Sequence, residues 1–483
     1  MTWNDRRRFR LVGCCTAAGF LLGVCGCVPA QVLPTSTSGP AANRSPVPPQ
    51  TPGVPDDQRY APTNDGRIYT AIPSEESGPV AVQVTIPAQY RYPDGAGVLV
   101  EVPPFFTPGG GYQQSLEVFS IGLIHVTFLW PGCVDSKTGH SSGGSRDFGG
   151  PGSIAALRDV IRFASGEIGD TNGKMLSEIA GIPVMEGNVG LYAFSHPGLA
   201  AVSVMAAYGG QMPSLRYFVG RENPTVDVIS AMEVGHYDDD RKPVLNPLYR
   251  YPGSFRDDDV LLDYSTLRWD AELPGCGGGS MGAPYFDIDG NGQRDSSDHA
   301  LGTQCPTMFG KRVYSAALSA ALESNHVFAA GEWPEDLATP EEAANWWSIR
   351  ESPVAYPALR NQIPGLKVML VFGEKDHVQV LRDKPHIHQA WLGFAEKAGL
   401  WVRLNPDSAY VTCLGSGLGD WKDHPAGLAP GNWFAAYLWG HPDTQDAVSV
   451  FPLAGVAEMS DRVYYENWAP DFDEILGGAC KES

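Results

Sequence analysis

Three residues of this chain are suited by type and position to carry nucleophilic catalysis: Ser195, Asp376 and His424. A serine hydroxyl is a weak nucleophile at neutral pH, so it needs a base to take its proton and an acid to orient that base. Ser195 lies in NVGLYAFSHPGLAAVSVMAAY, residues 188–208, where a short apolar run suited to a strand breaks and a small-residue helix pattern follows. Strand, sharp turn and helix with serine at the corner is the geometry of a nucleophile elbow, which lifts the hydroxyl clear of the sheet. Ala193 and Gly198 are small, as crowding there requires, and Pro197 suits a first helical turn. The pattern departs from G-x-S-x-G, since Ala193 replaces the first glycine and the second falls one place late. Two literal matches, around Ser141 and Ser280, lack strand-to-helix context: one sits in a polar loop and the other has neither strand before it nor helix after it.

The orienting acid belongs past the end of a later strand. The stretch VMLVFGEKDHVQV supplies Asp376 there, with Glu374 as its runner-up. The base should come last, in a loop before the final helix, and His424 in GDWKDHPAGLAPGNWFAAYLW fits, with His386, His388 and His441 competing.

The elements that must position these groups follow from hydrophobic periodicity. Strand patterns cover residues 80–86, 98–102, 123–130, 189–194, 215–219, 366–372 and 400–404. Helical patterns cover 112–119, 153–164, the stretch after Ser195, 390–398 and 432–439. Strands alternating with helices imply a mostly parallel sheet covered on both faces.

Ser195, Asp376 and His424, in that order on this strand pattern, resemble the α/β-hydrolase fold. The resemblance spans roughly residues 68–438 apart from an insertion and implies an α/β chain with a mostly parallel sheet, helices on both faces and a large inserted cap. It also implies acyl transfer through an acyl-serine that water then resolves. The oxyanion hole would take the N–H of His196 and one from the loop near Phe105, because Pro103 and Pro104 have none. The hydrolase domain is expected over 61–226 and 354–483, with the cap insertion over 227–353.

Within the insertion lies FDIDGNGQRDSSD. Asp287, Asp289, Asn291, Asp295 and Asp298 supply oxygens at loop positions 1, 3, 5, 9 and 12, Gln293 offers its carbonyl at 7, and Gly292 allows the sharp turn. The spacing resembles EF-hand and dockerin calcium loops, and structural calcium that orders the cap is expected. Cys276 and Cys305 bracket this loop and are the first expected disulfide, which an exported chain permits.

Residues 1–27 read as an export signal: Arg6, Arg7, Arg8 and Arg10 precede an apolar span too short for a resident membrane helix. Arg6-Arg7-Arg8-Phe9 also resembles a twin-arginine signal. Val24-Cys25-Gly26-Cys27 resembles a lipoprotein box with Cys27 as the lipidated residue, which implies a cell-envelope lipoprotein held to the membrane by a lipid anchor. Residues 28–60, rich in proline, serine and threonine, cannot bury enough surface to offset ordering entropy and are expected to form a tether. A formal charge of -21 leaves no basic surface to neutralise phosphates, so nucleic acid is excluded as a partner. The expected activity is that of an esterase-type serine hydrolase on a small-molecule ester or peptide. Its rivals are a peptidase similar to the prolyl oligopeptidases and a catalytically inactive, calcium-dependent binding module.

Overall fold

The computed structural model describes residues 52–106, 111–225, 231–238, 240, 242–250, 262–276, 281–301, 305–373, 376–381, 384–414 and 450–469. The central sheet takes β1 (Arg67–Ile72), β2 (Val80–Thr85), β3 (Ala96–Val102), β4 (Ile124–Phe128), β5 (Val184–Phe194) and β6 (Leu215–Arg221) from the first half of the chain. The insertion then contributes hairpin β7 (Gly235–Tyr237) and β8 (Pro243–Leu245), and a three-stranded sheet of β9 (Leu267–Pro274), β10 (Met281–Phe286) and β11 (His299–Ala300). A second hairpin, β12 (Thr307–Met308) and β13 (Lys311–Arg312), follows, and β14 (Lys367–Val371) and β15 (Trp401–Leu404) return to the central sheet. That sheet has the order β1-β2-β4-β3-β5-β6-β14-β15, antiparallel at β1, β2 and β4 and parallel from β4 to β15. With the helices and the insertion, this is the α/β-hydrolase layout expected above.

Alternation along each central strand divides its side chains between two cores. Val189, Leu191 and Ala193 of β5 and Val368 and Leu370 of β14 pack with α1 (Pro151–Ala164), α2 (Leu176–Ala180) and α3 (Pro197–Tyr208) on one face. Tyr192 of β5 and Met369 and Val371 of β14 point to the other face, where Phe451, Ala454, Ala457 and Met459 of the helix Val450–Tyr464 cover them. That helix is clamped by an ion pair between segments far apart in sequence: Asp461 receives Arg91 Nε at 2.6 Å and Nη2 at 2.7 Å, with both side chains buried.

The insertion has a core of its own. Leu267 and Phe286 of its sheet pack with Val234 of α4 (Ala231–Val234), Leu318 and Leu322 of α5 (Ala316–Ser324), and Tyr314. Then α6 (Pro340–Ser348) and α7 (Ser352–Gln362) lead back to the main domain. The insertion meets the main domain at loops following the parallel strands: Trp347 lies edge-on to Phe106, and Arg350 Nε donates to Phe148 O at 2.7 Å. It therefore stands at the end of the sheet where β3, β5 and β6 finish, as a cap would.

Two expectations are corrected. Residues 112–119 do not form a helix; only Val118–Ile121 makes a short 3-10 turn. Their polar groups are claimed from elsewhere, since Ser115 N donates to the Glu101 carboxylate at 2.8 Å and Gln113 O accepts from Thr127 Oγ1 at 2.9 Å. The tether does not extend to residue 60. Val54 is buried, Gly53 bridges Ser141, and the Tyr60 hydroxyl bonds to Asp170, so the packed body begins by residue 53. Among the described residues, no helix is long and apolar enough to cross a membrane. Residues 1–51, with Cys27, lie outside the described residues.

Candidate active site

The elbow is formed as its sequence suggests. β5 ends at Phe194, α3 begins at Pro197, and Ser195 between them has φ 62°. A non-glycine residue in this left-handed region costs energy and persists only where its surroundings hold it. Here Ser195 N donates to Arg221 O at 2.8 Å, and the Ser195 carbonyl accepts from Gly198 N at 3.0 Å and from Asn223 Nδ2 at 2.7 Å. The same Asn223 amide reaches the carbonyls of Ala193 at 3.0 Å and Arg221 at 3.1 Å. A Cβ on Gly198 would lie 2.3 Å from Asn223 Cγ. The late glycine therefore makes room for the brace that holds the serine in place. Ser141, by contrast, pairs its backbone with Gly53 and Val134, and Ser280 lies outside the described residues.

Of the two expected oxyanion donors, His196 and Phe105, the structure brings both to the elbow in an unexpected relation. Phe105 N donates to His196 Nε2 at 3.1 Å, and Phe106 N approaches the same nitrogen at 3.4 Å. The imidazole lies edge-on to Phe105 and stacked on Phe106, with centroids 5.0 and 4.9 Å away. Burial, with the nearby His377 charge adding to it, pushes the His196 pKa down to about 3, so the ring is neutral and Nε2 is free to accept. The Phe105 N–H is thus bonded to a side chain of the elbow itself.

On the acid side, Asp376 stands buried beyond the end of β14. Its Oδ1 accepts from Val378 N at 2.8 Å and Gln379 N at 2.9 Å and lies 3.1 Å from His377 Nδ1. Its Oδ2 is 3.2 Å from His386 Nε2, too poorly directed for a hydrogen bond. Burial alone would raise the carboxyl, but the His377 and His386 contacts prevail and hold it well below the usual range. Glu222, the residue after β6, carries φ 46° and places Oε2 2.7 Å from His377 Nδ1. Burial would lower His377, yet the Asp376 and Glu222 carboxylates outweigh it and raise the pKa to about 9. The His377 ring also lies 4.5 Å from that of Phe194, one residue before the serine.

Sheet register explains this convergence: Phe194 pairs with Arg221 and Arg221 with Val371, so the residues after all three strands emerge side by side. Glu222 and His377 were missed from sequence. Their only signals were adjacency to a strand end and to Asp376. His386 is buried on α8 (Pro385–Trp391), and burial lowers His388 to about 4. Glu374, His424 and His441 lie outside the described residues, as does the expected helix over 432–439.

The second predicted site lies in the cap. Residues 287–298 form the loop joining β10 to β11, and the carboxylate oxygens of Asp287, Asp289 and Asp298 fall within 4.8 Å of one another. Asn291 Nδ2 donates to Asp289 at 2.9 Å and to Asp295 at 3.1 Å, and Gln293 N donates to Asn291 Oδ1 at 2.6 Å. Cys276 and Cys305 form the expected disulfide.

No protein-family model matches this chain, and no curated protein does. Among solved structures, the chain is similar to brefeldin A esterase, described as a bacterial homologue of human hormone sensitive lipase, at 10% identity and TM-score 0.36 over 84% of this chain and 79% of that one. It is similar to an esterase from Rhizomucor miehei at 11% identity and TM-score 0.37, over 83% and 85%. For dipeptidyl peptidase 4 of Porphyromonas gingivalis the values are 9% and 0.31, over 70% of this chain and 31% of the peptidase. The chain thus spans about a third of that peptidase's length.

Proposed function

We propose that the chain is a serine hydrolase of esterase type, in which Ser195 forms the acyl-serine, Asp376 orients the base and His424 is that base. The observation that carries this reading is the backbone of Ser195, held at φ 62° on the corner between β5 and α3. Strain of this kind at a strand-to-helix corner is stored where a nucleophile must be presented. Asp376 supports it through a buried Oδ2 that has no hydrogen bond and so has acceptor capacity for an imidazole N–H. His377 is poorly suited to be the base, because a ring with pKa about 9 is already protonated at neutral pH.

In the reaction so proposed, the base takes the Ser195 proton as Oγ attacks the acyl carbon, and the same proton goes to the leaving group as the tetrahedral intermediate collapses. Water then repeats the sequence on the acyl-serine. The His196 N–H would face the oxyanion. Phe105 can serve as a second donor only after its bond to the His196 ring opens.

A fluorophosphonate probe tests the proposal. Labelling of the wild type that disappears in Ser195→Ala supports it, and loss of ester turnover in His424→Ala but not in His388→Ala identifies the base. The second reading, a catalytically inactive binding module, is favoured by the Phe105 N–H being bonded within the protein. An unlabelled, well-folded wild type would select it.

Export and anchoring belong to the same proposal and are supported by residues 1–27 alone, with Cys27 taking the lipid. Lipid labelling that survives Cys27→Ser would reject Cys27 as the site, and an unlabelled wild type would reject the anchor.

A further inference from the structure

We propose that the cap loop 287–298 binds one calcium ion, which fixes the β9-β10-β11 sheet. The loop closes a hairpin, since Phe286 pairs with His299 and Tyr285 with Ala300. This ladder sets the first and last acidic residues, Asp287 and Asp298, side by side, where helices would otherwise be needed to do so. Asp298 is turned inward by backbone donors: Ile288 N reaches Oδ1 at 2.8 Å and Asp295 N reaches Oδ2 at 2.9 Å. Gly290 and Gly292, with φ 73° and 76°, make the sharp turns that bring Asp289 back over Asp287.

The observation that points to a cation is Asp287. Its side chain is fully buried; Oδ2 accepts from Gly292 N at 3.0 Å, while Oδ1 is buried with no hydrogen-bond partner. Arg268 Nε comes only to 3.9 Å of Oδ2 and leaves Oδ1 unanswered. A buried carboxylate oxygen without a donor is costly, and a cation facing it removes the cost. The carboxylate oxygens of Asp287, Asp289 and Asp298 lie within 4.8 Å of one another. Oxygens on opposite sides of a calcium ion at about 2.4 Å are about 4.8 Å apart, so one ion can reach all three carboxylates.

The remaining ligands are Asn291, Asp295 through water and the Gln293 main-chain carbonyl. In the structure, the Asn291 Nδ2 hydrogens bridge Asp289 and Asp295, holding together carboxylates that would otherwise repel. A half-turn of that amide presents its oxygen to the ion. An all-oxygen set without imidazole or thiolate selects a hard cation, and the number of protein ligands favours calcium over magnesium, which retains its waters. Arg294, paired with Asp270 of β9 at 2.8 Å, joins the loop to the adjacent strand. Order in the loop would thereby reach the whole small sheet.

The test titrates chelator-treated full-length protein with calcium chloride by calorimetry and follows its melting temperature. One site per chain is expected, with a rise of roughly 2–5 °C at saturation. Asp289→Asn, a change of charge on an exposed side chain, should weaken binding at least tenfold, whereas Asp263→Asn outside the loop should bind as the wild type does. Absence of calcium binding by the folded wild type would overturn the site. So would unchanged affinity in Asp289→Asn, or a magnesium response equal to that of calcium. None of these outcomes bears on Ser195, whose probe labelling is read separately.

Discussion

His196 Nε2 accepts the backbone N–H of Phe105 at 3.1 Å, so the residue that follows the serine holds the loop that follows β3. For Phe105 to donate to a substrate oxyanion, that bond must break, at a cost of about 0.5–1.5 kcal/mol for a typical hydrogen bond. His196→Ala should therefore raise the rate of fluorophosphonate labelling of Ser195 by up to about tenfold, since 1.4 kcal/mol corresponds to a factor of ten. Labelling slowed in this variant would show instead that the ring positions the loop for catalysis.

Asp376 should matter for chemistry more than for folding. Asp376→Asn keeps the shape of the side chain but loses the charge that stabilises an imidazolium, and kcat should fall by roughly 10³–10⁴-fold. Ester turnover measured beside the melting temperature separates the two roles, and a variant that stays folded and fully active would remove Asp376 from the mechanism.

Asn223 holds two carbonyls of the elbow, those of Ala193 and Ser195, and that of Arg221 at the end of β6 with one amide. Removing it in Asn223→Ala takes one donor from each, while the Ser195 and Arg221 carbonyls keep Gly198 N and Ser195 N, so the loss is that of ordinary hydrogen bonds at about 0.5–1.5 kcal/mol each. We expect a destabilisation of about 2–3 kcal/mol by urea unfolding and a loss of probe labelling, because φ 62° at Ser195 loses its support. Gly198→Ala should act in the same direction by pushing the amide away.

Stability should depend on pH through two opposing sets of histidines. Burial lowers His196 to about 3 and His299 to about 4, so below the ordinary value of 6.5 the unfolded chain takes up protons that the folded one refuses. Their contribution is complete above pH 6.5 and is lost as pH falls. His377, raised to about 9, has the opposite sign: its contribution is complete below pH 6.5 and is lost as pH rises through 9. Urea midpoints between pH 5 and 9.5 should decline on both sides, and His377→Gln should flatten only the alkaline side. An unchanged alkaline decline would contradict this account.

The Cys276–Cys305 bond closes a loop with a sequence separation of 29 residues. Chain-entropy arguments give such a closure roughly 3–4 kcal/mol, and it acts on the small sheet within the cap core. Cys276→Ser with Cys305→Ser should lower the melting temperature of the cap while preserving the two cores of the central sheet. Differential hydrogen exchange would show protection lost in β9, β10 and β11 first.

What the sequence determined by itself was local. The apolar run before Ser195, the small residues around it and Pro197 encode a strand, a turn and a helix through interactions between near neighbours, and those elements appear where periodicity placed them. The acidic spacing of 287–298 is likewise local, because six regularly spaced oxygen-bearing positions and a glycine occupy one stretch of chain. Tertiary structure decided which distant groups meet. Glu222 reaches His377 only because β6 lies between β5 and β14 in register, and no pattern within either segment reports that neighbour. It also overrode the helical periodicity of 112–119, where bonds to Glu101 and Thr127 satisfy the backbone better than a helix of its own would. Finally, it bonded the Phe105 N–H to His196, a pairing set by how two loops from separate strands pack. Backbone preference is carried by each residue and its neighbours, whereas the partner of a buried polar group depends on the whole path of the chain between them.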